Sequence, residues 1–210
     1  LTGGAVHATD ATNASRTLLF DLKAQAWSAE MLEMLAVPAS LLPRVLDCAD
    51  DYGETLPEVL GRPVPIRGVA GDQQAALMGQ GCVRAGEMKA TYGTGCFMLV
   101  NTGEHLAPSR SRLLTTVAAR LGGRATYALE GSIFIAGAAL QWVNEGLGVP
   151  GGGAGVEKLA QTAREDHGVV LVPAFTGLGA PWWDANARGG LFGMTRDTGL
   201  AEIAHAAFDA

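Results

Sequence analysis

Residues 68–97 read GVAGDQQAALMGQGCVRAGEMKATYGTGCF, and they hold the change of period on which the fold turns. The first half follows a short apolar stretch (Val64, Ile66, Val69) that suits an edge strand, since Pro63 and Pro65 remove ladder donors. It then enters a small-residue segment in which Ala75, Ala76, Leu77, Gly79 and Val83 predict a helix lying close against a sheet. After the turn-like RAGE, the second half reads as two strands folded about Gly93-Thr94-Gly95. A strand-to-helix unit thus meets a hairpin-led unit, and the boundary falls at residues 84–87. Asp72, behind a glycine at the start of the helix, is by default a cap worth on the order of 1 kcal/mol. The same place, at the end of a strand in an open α/β sheet, is where such folds put ligand-contacting carboxylates.

The flanks extend this α/β order. Upstream, residues 1–20 read as a surface loop ahead of a short apolar strand, and Ser28 caps a helix that Pro38 ends. Downstream, LLTTVAA and RATYAL supply two more strands, SIFIAGAALQWVNEGL a helix with Ile133, Ala136, Leu140 and Val143 on one stripe, and the glycines at 151–155 a mobile loop. VEKLAQTARE predicts a helix, GVVLVPAF a buried strand, and LAEIAHAAFDA a helix running to the last residue. The chain opens on Leu1 and closes inside that helical period, so both ends look cut from something longer.

Composition narrows the function classes. Of 210 residues, 15 are basic and 21 acidic, giving a net charge of −6 with no basic run; nucleic acid and anionic membrane are not expected partners. No apolar stretch approaches the ~18–20 residues of a bilayer span. Cys48, Cys82 and Cys96 are odd in number and widely spaced, which suggests neither disulfides nor a metal knuckle and fits a reducing, cytoplasmic setting. The four histidines show no metal-ligand spacing, so no protein metal site is expected.

Two clusters carry chemistry. A carboxylate at a helix start stays ionised, and in phosphoryl transfer orienting a hydroxyl outweighs early deprotonation, so capping and catalysis are compatible at Asp72. Gln73 and Gln74 offer amides to polyol hydroxyls. In YGTGCF the glycines reach positive φ as a hairpin tip, or else let backbone N–H groups and the Thr94 hydroxyl approach phosphate. Neither GxxxxGK[ST] nor a strand-linked GxGxxG occurs, which excludes a P-loop within this stretch. Trp182, Trp183, Asp184 and Arg188 read as a packed aromatic loop with an ion pair, and Trp142 as core.

The run GVAGDQQAALMGQGCVRAGEMKATYGTGCFMLVNTGE, with TDATNASRTLLFD before it and YALEGSIFIAGAALQWV and LVPAFTGLGAPWWDANARGGLFGMTRDT after it, resembles the glycerol kinases of the FGGY carbohydrate kinase family. The resemblance implies two ribonuclease-H-like domains of the actin and hexokinase type with the active site in the cleft between them. Residues 1–85 would close the first domain and 86–210 open the second. It implies Asp72 as catalytic base on glycerol, Gln73 and Phe97 as substrate contacts, and Gly93, Thr94, Gly95, Gly137 and Gln141 beside ATP, with Mg²⁺ neutralising phosphate charge. It further implies a homo-oligomer in full-length form. VLGRPVPIRG lacks the Gly-Gly-Thr-Arg pattern of members regulated by fructose 1,6-bisphosphate. The alternatives are a non-catalytic fragment with weak polyol or nucleotide binding, or a kinase of this family acting on another polyol or ketose.

Overall fold

The structure is a computed structural model that describes residues 1–210. Its residues group into two compact units: Leu1–Lys89 with Leu99–Arg110 and Leu114–Glu130, and Ala90–Met98 with Ser111–Leu113 and Gly131–Ala210.

In the first unit, the opening residues form more structure than their turn-rich composition predicts. Strand β1 (Ala8–Asp10) pairs in parallel with β4 (Arg44–Leu46), and helix α1 (Ala11–Ala14) follows directly. Asp10 caps α1, accepting from Thr12 N and Asn13 N. The short hairpin β2 (Phe20–Asp21) and β3 (Ala26–Trp27) leads to α2 (Ala29–Met34), where Ser28 Oγ accepts from Met31 N as the sequence predicts. A single-turn helix α3 (Pro57–Leu60) precedes the proline-bearing segment. That segment forms no strand; it makes bridges and irregular hydrogen bonds to residues 48–55, because Pro63 and Pro65 have no N–H to donate.

Helix α4 (Asp72–Gly79) stops at Gln80, short of the predicted Val83. Four strands, β5 (Met88–Tyr92), β6 (Cys96–Gly103), β7 (Leu114–Leu121) and β8 (Arg124–Ile133), form one sheet in the order β5-β6-β8-β7. β7 and β8 are antiparallel, with an irregularity between Val117 and Ala119. The two-residue period of the strands sorts the first unit's core into two faces. Val117 and Tyr127 pack with Ala11, Ala14 and Phe20, whereas Ala118 and Ala128, one position on, pack with Leu77, Cys82 and Leu99. The close approach of α4 to the sheet therefore comes from alanines on the strands. On the helix, Leu77 and Gln74 are buried, while Ala75 and Gly79 are exposed, against the prediction from its small residues.

In the second unit, helices α5 (Gly137–Gly146), α6 (Gly152–Ala160) and α7 (Leu200–Asp209) enclose a core with strand β9 (Val170–Val172), which pairs antiparallel with β10 (Gly190–Phe192). Val143, Val156 and Ala204 are fully buried there. Two predictions are corrected here. Helix α5 starts four residues later than its stripe suggests, because Ile133 completes β8. The glycines at 151–155 are not a loop: all but Gly151 lie inside α6, where a Cβ on Gly155 would sit 1.9 Å from Pro150 O, so the chain can enter this helix only without a side chain. No helix is long and apolar enough to cross a membrane.

Candidate active site

Asp72 is the first residue of α4, not its cap: Gly71 holds the cap position, and no side chain closes that end. The Asp72 side chain is thus exposed and free of the structural duty that its sequence position suggests. Its Oδ2 accepts from Gln73 Nε2 at 3.0 Å. Gln73 Oε1 in turn accepts from the ammonium of Lys89, a residue only 2% exposed on β5. Gln74, one residue on, turns the other way. It is buried and donates to Thr116 Oγ1 at 3.2 Å, and Thr116 Oγ1 lies 2.9 Å from Ser15 Oγ. Of the two glutamines offered by the sequence, only Gln73 stands beside the carboxylate.

A buried strut fixes this helix start. Thr12 Oγ1 accepts from Gly71 N at 2.8 Å and donates to Asp10 Oδ2. Asp10 is fully buried, with Thr12, Asn13 and the Cys48 thiol all directed at its carboxylate. Burial, and then the Asp10 carboxylate, push the Cys48 thiol up to about 11. Thr12, Thr116 and Lys89 escape sequence reading because each meets the start of α4 across 16 to 59 residues, and Asp10 joins the site only through Thr12. The one local signal is a lysine inside an otherwise uncharged strand segment, MKATY.

In the second unit, Gly93, Thr94 and Gly95 form the tip between β5 and β6, and Thr94 is exposed. None of the three has positive φ, so a turn requirement does not explain the glycines. Close approach explains Gly95, and Gly137 opposite the tip. A Cβ on Gly95 would lie 2.3 Å from Ile133 O and 2.8 Å from Phe134 O, and one on Gly137 would lie 2.5 Å from Gly93 O. The tip seats on the start of α5: Thr94 O accepts from Ala136 N at 2.8 Å and Ala138 N at 3.1 Å, and Gly93 O accepts from Gly137 N at 3.0 Å. The tip carbonyls thereby satisfy α5's first donors, which have no side-chain cap. Gly93 and Gly137 also border a mostly apolar cavity of about 520 Å³ with Tyr92, Ile135, Leu140 and Phe208. Gln141 lies one turn into α5, exposed, donating to Glu145 at 3.0 Å, and Phe97 is half-buried on β6.

The structure thus groups Asp72 with Gln73 in the first unit, and Gly93, Thr94, Gly95, Phe97, Gly137 and Gln141 in the second. The aromatic loop differs from expectation in one respect. Asp184 accepts from Asn186 N and Ala187 N, and Arg188 donates to Ala185 O and Ala187 O, so the two form no ion pair. Trp183 instead donates to Arg112 O at 2.7 Å and meets Phe134 edge-on, and Trp142 is half-buried against Phe175. No three carboxylate, imidazole or thiol groups converge on a metal position.

The N-terminal domain profile of the FGGY family of carbohydrate kinases matches residues 1–79, and the C-terminal domain profile matches residues 88–210. The chain belongs to the FGGY family. Among FGGY relatives, the glycerol kinase of Alteromonas mediterranea is 61% identical over 203 residues, 97% of this chain and 41% of that protein. The glycerol kinase of Alcanivorax borkumensis is 60% identical over the whole chain and 42% of its own length. The chain spans about two fifths of the length of these curated relatives. The crystal structure of Plasmodium falciparum glycerol kinase with ADP superposes with a TM-score of 0.83 at 37% identity, covering 95% of this chain and 40% of that one. Gluconate kinase from Lactobacillus acidophilus gives 0.84 at 25% identity over 99% of this chain and 42% of that one. The FGGY chain described here is mixed α/β and covers parts of two domains of the actin/hexokinase-like ATPase fold.

Proposed function

We propose that the whole protein transfers the γ-phosphoryl group of ATP to glycerol, with Asp72 accepting the proton of the attacking hydroxyl. The observation that carries this reading is the state of Asp72: exposed at a helix start, unused as a cap, and held at one oxygen by Gln73. A carboxylate so placed has a lone pair for a substrate hydroxyl, while the loose transition state of phosphoryl transfer asks mainly for orientation. Gln73 spends one amide N–H on Asp72 and has a second for a neighbouring polyol oxygen. Phe97 offers an aromatic face to the carbon side of glycerol.

On the nucleotide side, the Gly93–Gly95 tip presents the Thr94 hydroxyl to phosphate, with Gly137 and Gln141 alongside. Mg²⁺ bound together with ATP would neutralise charge on the transferring phosphoryl group. Residues 1–85 are read as the close of the first family domain and 86–210 as the opening of the second, in keeping with the profile matches at 1–79 and 88–210. Glycerol is preferred over a ketose because relatives near 60% identity are named glycerol kinases, whereas a xylulose kinase structure matches at 24%.

The test is ATP consumption by the whole protein with glycerol, dihydroxyacetone, erythritol or xylulose, and with none. Glycerol should lead, and Asp72→Asn should lower kcat by ~10²–10⁴-fold, the range for a positioned proton acceptor, with unfolding unchanged. Near-normal turnover by Asp72→Asn would overturn the assignment of the base, and a faster rate with xylulose would overturn the acceptor.

A further inference from the structure

Lys89 has no part in the roles assigned so far, yet it is the most deeply buried cationic side chain of the protein. On β5 the burial pattern places Met88 outward and Lys89 inward, and the ammonium ends on Gln73 Oε1. The two ends of a glutamine amide have nearly the same shape, so what decides which end faces Asp72 is the chemistry on the far side. An ammonium has three donors and no acceptor, so only Oε1 can face it. Nε2 is then left toward Asp72 Oδ2, at 3.0 Å. We propose that Lys89 is a positioning residue: it locks the amide of Gln73 so that its NH₂, and never its carbonyl, faces the Asp72 carboxylate and the substrate hydroxyls beside it.

The consequence of losing the lock follows from the same geometry. With a neutral chain at position 89, the amide turns freely. In the reversed orientation two acceptor oxygens face each other where a donor and an acceptor now meet, and the carboxylate swings out of line. The backbone of α4 does not depend on this contact, since Gly71 N is held by Thr12 and Gln74 by Thr116. Lys89→Met should therefore alter orientation at the site while the helix stays in place.

The inference rests on the reading of Asp72 as the base, and two experiments separate the two. The first needs no turnover. In protein labelled with ¹⁵N-glutamine, one Gln73 side-chain proton should be shifted downfield by its bond to Asp72, and the shift should be lost in Asp72→Ala. In Lys89→Met that proton should move back to the position of a solvent-exposed glutamine amide. Absence of the downfield shift in the wild-type protein overturns the lock, whether or not the Lys89 variant folds. The second is kinetic. Lys89→Met should lower kcat about 10- to 100-fold with KM for ATP unchanged, and Lys89→Met/Gln73→Met should be no slower than Gln73→Met alone. Losses that multiply, or a rise in KM for ATP, would mean that Lys89 acts elsewhere and would overturn the proposal. If the proton behaves as expected but glycerol is not phosphorylated, the lock stands and the glycerol reading falls.

Discussion

Replacing Gly95 with alanine puts a methyl group where the structure has backbone. The added Cβ would lie 2.3 Å from Ile133 O, and the ordinary carbon-to-carbonyl-oxygen approach is ~3.3 Å, so the tip must retreat by about 1 Å. Neither neighbour is a flexible side-chain end that can swing aside. Overpacking of this kind costs ~1–3 kcal/mol. The retreat also stretches the three hydrogen bonds by which Thr94 O and Gly93 O hold the start of α5, each worth about 1 kcal/mol net. Together the loss should be about 2–4 kcal/mol of second-unit stability. The control is Gly93→Ala in the same tip, where φ is not positive and the added Cβ meets only Gly95 O at 4.0 Å. Urea unfolding followed by tryptophan fluorescence, which reports Trp142, Trp182 and Trp183 of the second unit together with Trp27 of the first, compares the two variants. If Gly95→Ala unfolds at the same urea concentration as Gly93→Ala, close packing is not what these glycines supply.

Three further outcomes follow from other contacts. Arg120 donates to Asp47 at 2.7 Å and to Val45 O at 2.9 Å, while Asp47 keeps Gly123 N, so Arg120→Met should destabilise the first unit by ~1–3 kcal/mol in thermal or urea unfolding. Glu202 accepts from Gly199 N and then from Arg164, which pulls it from 4.5 down to about 2. Its contribution is therefore complete above pH 4.5 and fades as pH falls toward 2, and the Tm gap between wild type and Glu202→Gln should close over that window. Cys48, pushed up to about 11, and the buried Cys82 and Cys96 should resist Ellman's reagent at pH 8 in the native protein and all react once it is denatured.

The parts of the fold that the sequence makes legible are those whose cause is local. The hairpin strands show as short apolar runs on either side of a glycine pair, α2 announces its Ser28 cap, and α7 keeps a helical period over its whole length. What misleads is local signal overridden by distant backbone. The glycines of α6 look like a loop until Pro150 O is seen against Gly155, and the glycines at 93–95 look like a positive-φ turn until Ile133 O is seen against Gly95. At the candidate site, Asp72 is legible from Gly-Asp at a helix start, but its role as a cap is not what the backbone adopts, because Gly71 takes that place. By residue type Gln73 and Gln74 are alike, and only the family resemblance singles out Gln73. In the fold, Lys89 on one side and Thr116 on the other separate them.

The Thr12 strut under Gly71 has a kinetic consequence. It joins residues 59 apart, and Gln74 reaches Thr116 across 42 more, so the start of α4 is defined only after two long loops have closed. Loop closure of that span is entropically uphill until the contacts form, which makes such pairings late events in folding. Helical hydrogen bonds around Leu77 can form early, on local information, while the aim of Asp72 is set last. A folding intermediate of this protein would then show α4 protected from hydrogen exchange at its centre and open at its first turn: a helix present before its carboxylate has a direction.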